Sequence, residues 1–137
     1  MAAPTRPGLY RDVVVFSGPQ LSVFELRRLA ELLRGRRVHG NTALIVTANF
    51  ANREMAARLG YVQAIENAGG HVLAGVCWYI MEPARMAAAF GWRNVLTNSA
   101  KVANIIGGYR LHPILRRTAV CVDAAVTGRL PAEAHLR

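Results

Sequence analysis

The chain has 137 residues, of which 53% are hydrophobic, and a formal net charge of +9. This length fits one compact domain with a buried core. No apolar run reaches the ~18–20 residues of a membrane span, and no signal-peptide segment is present. We therefore expect a soluble, cytoplasmic protein. The basic residues are scattered singly or in pairs, without interleaved aromatic residues or a known module signature, which argues against a nucleic-acid-binding function.

The first predicted elements are a strand and a helix. A lead-in with two prolines and a glycine, residues 1–11, precedes DVVVF, a β-branched segment that predicts a buried strand at residues 12–16. A turn is expected at the following SGPQ. The next segment, LSVFELRRLAELLRG, has leucines at helical spacing, and Ser22 with Glu25 three residues later forms the capping-box pattern. We therefore predict a core-facing helix here.

The rest of the chain alternates short apolar segments with helical patterns. Further strands are predicted at residues 43–47, 71–76 and 94–97. Helices are predicted at residues 50–59, 62–67 and 84–89, from about residue 99 to the glycines 107–108, and from about 114 to 127. This alternation predicts an α/β domain at residues 12–130, in which a short, mainly parallel sheet lies between two helical layers, followed by a tail at residues 131–137.

A polar segment follows the last predicted strand and contains Lys101, the one lysine among 17 basic residues. Ligands of parallel sheets bind beyond the carboxyl ends of the strands, and the first turn of a helix attracts anions. Asn98 is a good helix cap, Ser99 adds a hydroxyl group and Lys101 a positive charge, so the segment could hold a carboxylate or a phosphate. The spacing is not that of a Walker loop, and a plain capped helix with a surface lysine is the alternative.

The two cysteines, Cys77 and Cys121, are widely spaced and do not indicate a disulfide framework. One interpretation is two buried thiols, and the other is a shared metal or cluster site, although no CxxC or HxxxH pattern is present. Cys77 is expected at the end of the third strand, on the same edge of the sheet as the polar segment. A thiolate there could ligate iron beside an anion site.

Four segments, in this order, resemble segments of aconitase X, a family of hydro-lyases that includes cis-3-hydroxyproline dehydratase and mevalonate 5-phosphate dehydratase. The family's strand, G-x-P-H-x-S turn and helix are similar to DVVVFSGPQLSVFELRRLAELLRGRRV, and its next helix pair and strand to TANFANREMAARLGYVQAIENAGGHVLAGVC. Its TNSAK segment is similar to VLTNSAKVAN, and its final helix, where a cysteine is common, to CVDAAVTGRLP. The resemblance is to the C-terminal part of the catalytic large subunit and runs from Asp12 to about Leu130.

The resemblance implies an aconitase-like domain and a dehydratase chemistry. Family members remove water from a hydroxy acid or a related substrate with an iron–sulfur cluster held by cysteines, whose iron acts as a Lewis acid on the leaving hydroxyl group. The implied substrate-binding residues are Thr97, Asn98, Ser99 and Lys101. Ser99 and Lys101 would also be catalytic, Cys77 would be a cluster ligand, and Cys121 is a second candidate ligand that could equally be a core residue.

This chain departs from the family pattern at several positions. Gln20 stands where the family has a histidine, Val76 stands where a threonine precedes the strand-end cysteine, and Trp78 follows that cysteine. The segment at residues 104–108 replaces a His-Tyr pair and a following turn. The family's catalytic subunit also has a long N-terminal portion and works with a small swivelling domain, and this chain is too short to contain either.

Two interpretations follow from the resemblance. In the first, the chain is a component of an aconitase X-type hydro-lyase that needs partner chains, which supply the N-terminal portion and the swivelling domain, to complete a site for an anionic substrate. In the second, it is a non-catalytic relative that binds an anionic small molecule or serves as an assembly module. The retained Cys77 and TNSAK segment favour the first interpretation, whereas the changes at Gln20, Val76 and Asn104 favour the second.

Overall fold

Five parallel strands form the centre of the fold in a computed structural model that describes residues 12–106 and 111–130. The strands are β1 (Asp12–Leu21), β2 (Thr42–Ala48), β3 (His71–Ala74), β4 (Asn94–Thr97) and β5 (His112–Leu115). They lie in the order β3-β2-β1-β4-β5, and every neighbouring pair is parallel. The carboxyl ends of all five strands therefore lie at one edge of the sheet.

Helices cover both faces of this sheet. They are α1 (Val23–Leu32), α2 (Phe50–Arg58), α3 (Tyr61–Asn67), α4 (Pro83–Phe90), α5 (Ala100–Ile106) and α6 (Thr118–Thr127), with a 3-10 helix at Trp78–Met81. Helices α1, α2, α3 and α6 bury apolar side chains in one core cluster, whereas α4, α5 and the 3-10 helix contribute to the other. The predicted three-layer α/β architecture with a parallel sheet is confirmed. No helix of the described residues is long and apolar enough to cross a membrane.

The central strand β1 supplies side chains to both cores. Successive side chains of a strand point to opposite faces, so Val14 and Phe16 enter one core cluster, and Val13 and Val15 enter the other. All four side chains are at most 1% exposed. This explains why the segment is a continuous apolar run rather than an alternating one, as is typical of a parallel strand covered on both faces.

The capping box predicted for α1 is present. The backbone N–H of Glu25 donates to Ser22 Oγ at 3.2 Å, and the backbone N–H of Ser22 donates to Glu25 Oε1 at 2.9 Å. These two bonds satisfy donors that a helix start otherwise leaves without partners. Leu26 and Leu29 then turn into the core, with exposures of 0% and 1%.

Two predicted elements differ in the structure. The expected turn at SGPQ is part of β1, whose pairing with β2 shifts register between Phe16 and Leu21. The helix expected from about residue 114 begins at Thr118, because residues 112–115 form the unpredicted strand β5. Pro113 lies within β5 and has no N–H to donate, and it is tolerated because β5 is an edge strand.

The domain limits proposed from the sequence remain predictions. The lead-in at residues 1–11, the tail at 131–137 and the glycines at 107–108 lie outside the described residues. The α/β elements themselves fall within the expected span of residues 12–130.

The α1 helix offers a matched pair of substitutions that tests the packing. Leu26→Ala should lower the free energy of unfolding by about 2–5 kcal/mol, because it leaves a cavity in the core. Phe24→Ala should change it by no more than about 0.5 kcal/mol, because the Phe24 side chain is 79% exposed. Urea unfolding of both variants measures this difference, and equal losses would contradict the packing of α1.

Candidate functional site at the carboxyl edge of the sheet

The topology creates a crevice between β1 and β4. These strands are neighbours, but the helix that follows β1 packs on one face of the sheet and the helix that follows β4 packs on the other. In open parallel sheets such a switch point leaves a crevice at the carboxyl ends of the strands, where ligands bind. The predicted site begins at Thr97, the last residue of β4, and continues through residues 98–101, so it lies at this crevice.

The backbone of the TNSAK segment is held by its own side chains. Thr97 is fully buried, and its Oγ1 accepts a hydrogen bond of 3.1 Å from the backbone N–H of Ser99. Ser99 Oγ accepts a bond of 3.2 Å from the backbone N–H of Val102. Ser99, and not Asn98 as expected from the sequence, is thus the capping side chain of α5. Lys101 lies exposed in the first turn of this helix.

The segment after β5 is joined to this site. Asn98 Nδ2 donates to Thr118 Oγ1 at 3.0 Å, and the backbone N–H of Arg116 donates to the Thr97 carbonyl oxygen at 3.0 Å. Residues 116–118 therefore belong to the candidate site. These residues were not predicted as part of the site, because a helix was expected across β5; the adjacent basic pair Arg116-Arg117 was the local signal.

Arg116 is an unusual residue of this site because it is a buried arginine. Its residue exposure is 9%. Its Nη1 donates to the Leu115 carbonyl oxygen at 2.8 Å, while its Nε is buried and has no hydrogen-bond partner among the described residues. No carboxylate of the described residues forms an ion pair with it.

Cys77 is brought from the sheet edge toward the central strand. It lies three residues beyond the end of β3, and the segment around it is bonded to the last part of β1. Gln20 Nε2 donates to the Val76 carbonyl oxygen at 2.7 Å, and the backbone N–H of Trp78 donates to Ser17 Oγ at 3.2 Å. Because β1 is also the neighbour of β4, the Cys77 segment and the TNSAK segment are both attached to β1.

Cys121 has a different environment. It is fully buried in α6, and its thiol donates to the Arg116 carbonyl oxygen at 3.6 Å. Burial raises the pKa of this thiol to about 12, although the positive charge of Arg116 and the hydrogen bond to its backbone act in the opposite direction. A metal ligand must be a thiolate, so these observations favour the interpretation of Cys121 as a core residue.

The described residues do not contain a complete metal site. No group of three or more histidine, cysteine or acidic side chains comes together in residues 12–106 and 111–130. An iron–sulfur cluster takes several cysteine ligands. Of the two free thiols in this part of the chain, the half-buried Cys77 is the more accessible to a cluster.

Two cavities of different size lie at different ends of the domain. A small cavity of about 40 Å³ lies at the candidate site, and its lining includes Asn98 and Thr118 together with the α1 residues Glu25 and Arg28. A cleft of about 670 Å³ lies between α1 and α3 and is lined by four arginines but by none of the predicted site residues. The larger cleft is therefore not the site that the sequence predicts.

The fold and the site together define a doubly wound parallel α/β domain with a polar site at its topological switch point. The family model described as "Aconitase X third domain" matches residues 11–127. The chain belongs to the aconitase X family.

Curated relatives agree with this family. The chain is 35% identical to cis-3-hydroxy-L-proline dehydratase of Hypocrea jecorina over 85% of its own length and 20% of that protein. It is 32% identical to the enzyme of the same name from Pseudomonas aeruginosa, over 88% of this chain and 21% of that protein. It is 33% identical to the phosphomevalonate dehydratase large subunit of Methanocaldococcus jannaschii, over 67% of this chain and 21% of that subunit. The chain thus spans about a fifth of the length of these relatives.

A solved structure has the same fold. The holo-form crystal structure of Thermococcus kodakaraensis aconitase X superposes with a TM-score of 0.71 at 25% identity, over 83% of this chain and 28% of that one. The predicted resemblance and the predicted fold class are confirmed.

The two cysteines should differ in reactivity. In the native protein at pH 8, a thiol reagent such as DTNB should modify Cys77, which is half-buried, far faster than Cys121, which is fully buried and has a raised pKa. Cys77→Ser should abolish the fast reaction and Cys121→Ser should preserve it. Fast modification of both thiols without denaturant would show that α6 is not packed as described.

Proposed function

We propose that this chain supplies one wall of the active site of an aconitase X-type hydro-lyase. The enzyme would remove water from a hydroxy substrate that bears a carboxylate or a phosphate. The position of the TNSAK segment directly after β4, in the crevice at the switch point, is the observation that carries the proposal. The names of the relatives, which are dehydratases of a hydroxyproline and of phosphomevalonate, support it.

The side chains of this segment suit different tasks. Thr97 is buried and Asn98 is bonded to Thr118, so on this proposal they shape the substrate-binding surface. Lys101 carries a compact positive charge on a flexible stem, which can hold an anionic oxygen or, when neutral, accept a proton. Ser99 lies between Asn98 and Lys101 in the chain and can contact the substrate through its hydroxyl group. We assign the catalytic role to Ser99 and Lys101.

An iron–sulfur cluster would require ligands from outside the described residues. Cys77 is the thiol that we propose as this chain's contribution, because its segment is held next to β1 by the bonds to Ser17 and Gln20.

Exposed aromatic side chains support the presence of a covering partner portion. Phe24 and Phe50 are 79% and 73% exposed and lie in the first turns of α1 and α2. Because these helices follow β1 and β2, both rings lie at the carboxyl edge of the sheet, as the candidate site does. Large exposed aromatic side chains at one end of a domain are typical of an interaction surface. We propose that the missing portions of the enzyme cover this edge.

A non-catalytic relative that binds an anionic small molecule or serves as an assembly module is the second candidate function. Gln20 favours it, because an amide cannot transfer protons as the family's histidine could, and its Nε2 is already bonded to the Val76 carbonyl oxygen. In that case the crevice would keep its anion-binding groups without turnover.

Anaerobic purification of the chain from its native cell, with its stoichiometric partners, tests the proposal. The assembly should dehydrate cis-3-hydroxy-L-proline, phosphomevalonate or a related hydroxy acid, and Lys101→Ala should lower kcat/KM by about 10²-fold or more. Arg85→Ala, which removes an exposed cation on α4, is the matched control and should leave the activity unchanged. A chain purified without partners and without dehydratase activity would favour the non-catalytic relative.

The proposed role of Cys77 has its own test. Cys77→Ser should reduce the iron content of the anaerobically prepared assembly, because the cluster loses a ligand. Cys121→Ser should leave the iron content unchanged, because we assign that thiol to the core. Iron analysis per assembly measures both, and an unaltered iron content in Cys77→Ser would rule out this ligand.

A further inference from the structure

We propose that Arg116 and the first turn of α6 form an oxyanion-binding subsite that holds the carboxylate or phosphate group of the substrate beside the TNSAK segment. This subsite rests on the proposed function, because it assigns a second anchoring point to the same active site. It was not visible in the sequence, where a helix was expected across these residues.

The buried charge of Arg116 is the first observation. A guanidinium group is protonated at every physiological pH, and burying it without an anionic partner is costly. Only 9% of Arg116 is exposed, its Nε has no hydrogen-bond partner among the described residues, and its Nη1 bonds only to a backbone carbonyl. The acidic residue of α6, Asp123, pairs instead with Arg36 at 2.8 Å. No carboxylate of the described residues therefore neutralises the charge of Arg116.

The start of α6 is the second observation. This helix has ten residues, its N-cap position is Arg117, no side chain caps it by a hydrogen bond, and its first turn has no acidic residue. A helix start normally attracts an anion or an acceptor side chain, because its first N–H groups have no partners within the helix. Here two arginines, Arg116 and Arg117, directly precede the helix in sequence, and the small cavity beside Thr118 is lined by one carboxylate, Glu25, and one further arginine, Arg28.

The position of this subsite connects it to the proposed catalytic residues. The backbone N–H of Arg116 is bonded to the Thr97 carbonyl oxygen, and Thr118, the first residue of α6, is bonded to Asn98. One substrate molecule could thus place an anionic group against Arg116 and its reacting carbon near Ser99 and Lys101. An arginine fork also suits carboxylate and phosphate oxygens geometrically.

Titration of the purified chain with inorganic phosphate, and separately with acetate, at low ionic strength tests the subsite. Amide NMR signals of residues 116–120 should shift in a saturable way. Arg116→Met should weaken this binding on the order of tenfold, since it removes a charge-assisted hydrogen bond. Arg34→Met, which removes an exposed arginine at the distant α1–α3 cleft, should not. Absence of saturable shifts, or equal affinity in Arg116→Met, would overturn the proposal.

Thermal unfolding separates binding from a structural role. Without phosphate, Arg116→Met should melt at the same temperature as the unsubstituted chain or higher, because it removes an uncompensated buried charge. A lower melting temperature with unchanged phosphate affinity would instead assign Arg116 to the fold. If Arg116→Met does not fold, Arg116→Lys replaces it; weakened phosphate binding is expected because the planar fork is lost, and unchanged binding would overturn the proposal.

Measurements on the assembled enzyme distinguish two sources of the anion: the substrate and a carboxylate of the covering portion. If the substrate supplies it, Arg116→Met raises KM and leaves the affinity between the chain and its partner portion unchanged. If a carboxylate of the covering portion supplies it, that affinity falls and KM does not change, which would overturn the assignment to substrate. Because the phosphate titration uses the chain alone, its result stands whether or not the assembly proves to be a dehydratase.

Discussion

The parallel pairing of β1 with a neighbour on each side is the constraint on which the rest of this structure depends. It brings the carboxyl ends of β2 and β4 to the two sides of one strand, and it places the helices that follow β1 and β4 on opposite faces. The second half of β1 is fixed by a buried hydroxyl group: Ser17 Oγ accepts hydrogen bonds from Thr47 Oγ1 at 2.7 Å and from the backbone N–H of Trp78 at 3.2 Å. One polar atom thus joins β1, β2 and the segment that carries Cys77.

Most of the fold could be predicted because its signals are local. The β-branched run of β1 and the capping box of α1 each determine a structure within a few residues. The strand β5 could not be predicted this way, because HPIL has little strand character of its own and is ordered by pairing with β4. Because a helix was predicted across β5, Arg116 was not recognised as a residue of the candidate site. The capping residue of α5 was also misplaced by one position, because Asn98 and Ser99 are both good caps in sequence. In the structure Ser99 Oγ accepts from the backbone N–H of Val102, whereas Asn98 is bonded to Thr118.

The two cysteines show what a sequence can and cannot say about chemistry. Both could be drawn as cluster ligands from the resemblance alone, yet their surroundings differ. Cys121 lies in an apolar core that keeps its thiol protonated. Cys77 instead precedes Trp78, whose fully buried indole packs against Trp92 and anchors the segment that carries Cys77. The bulky residue that departs from the family pattern thus has a packing role, and so does Gln20, which holds the carbonyl next to Cys77. Such compensations arise between segments distant in sequence, so periodicity and spacing do not reveal them.

Three buried side-chain nitrogens of the described residues have no hydrogen-bond partner: Trp78 Nε1 and Trp92 Nε1 in one apolar cluster, and Arg116 Nε, the only one of the three that belongs to a charged group. The two apolar clusters of the domain are closed around the sheet, and their members are almost completely buried. At the carboxyl edge, by contrast, lie an unpaired buried arginine, an uncapped helix start and two largely exposed phenylalanines. Natural proteins accept locally unfavourable arrangements of this kind where a ligand or a partner compensates for them. On our proposals, the edge that carries the chemistry is complementary to an anion at Arg116 and to an apolar partner surface at Phe24 and Phe50. Because both requirements fall on the same edge, one binding event, in which the rest of the enzyme closes over the crevice on a bound substrate, would satisfy them together.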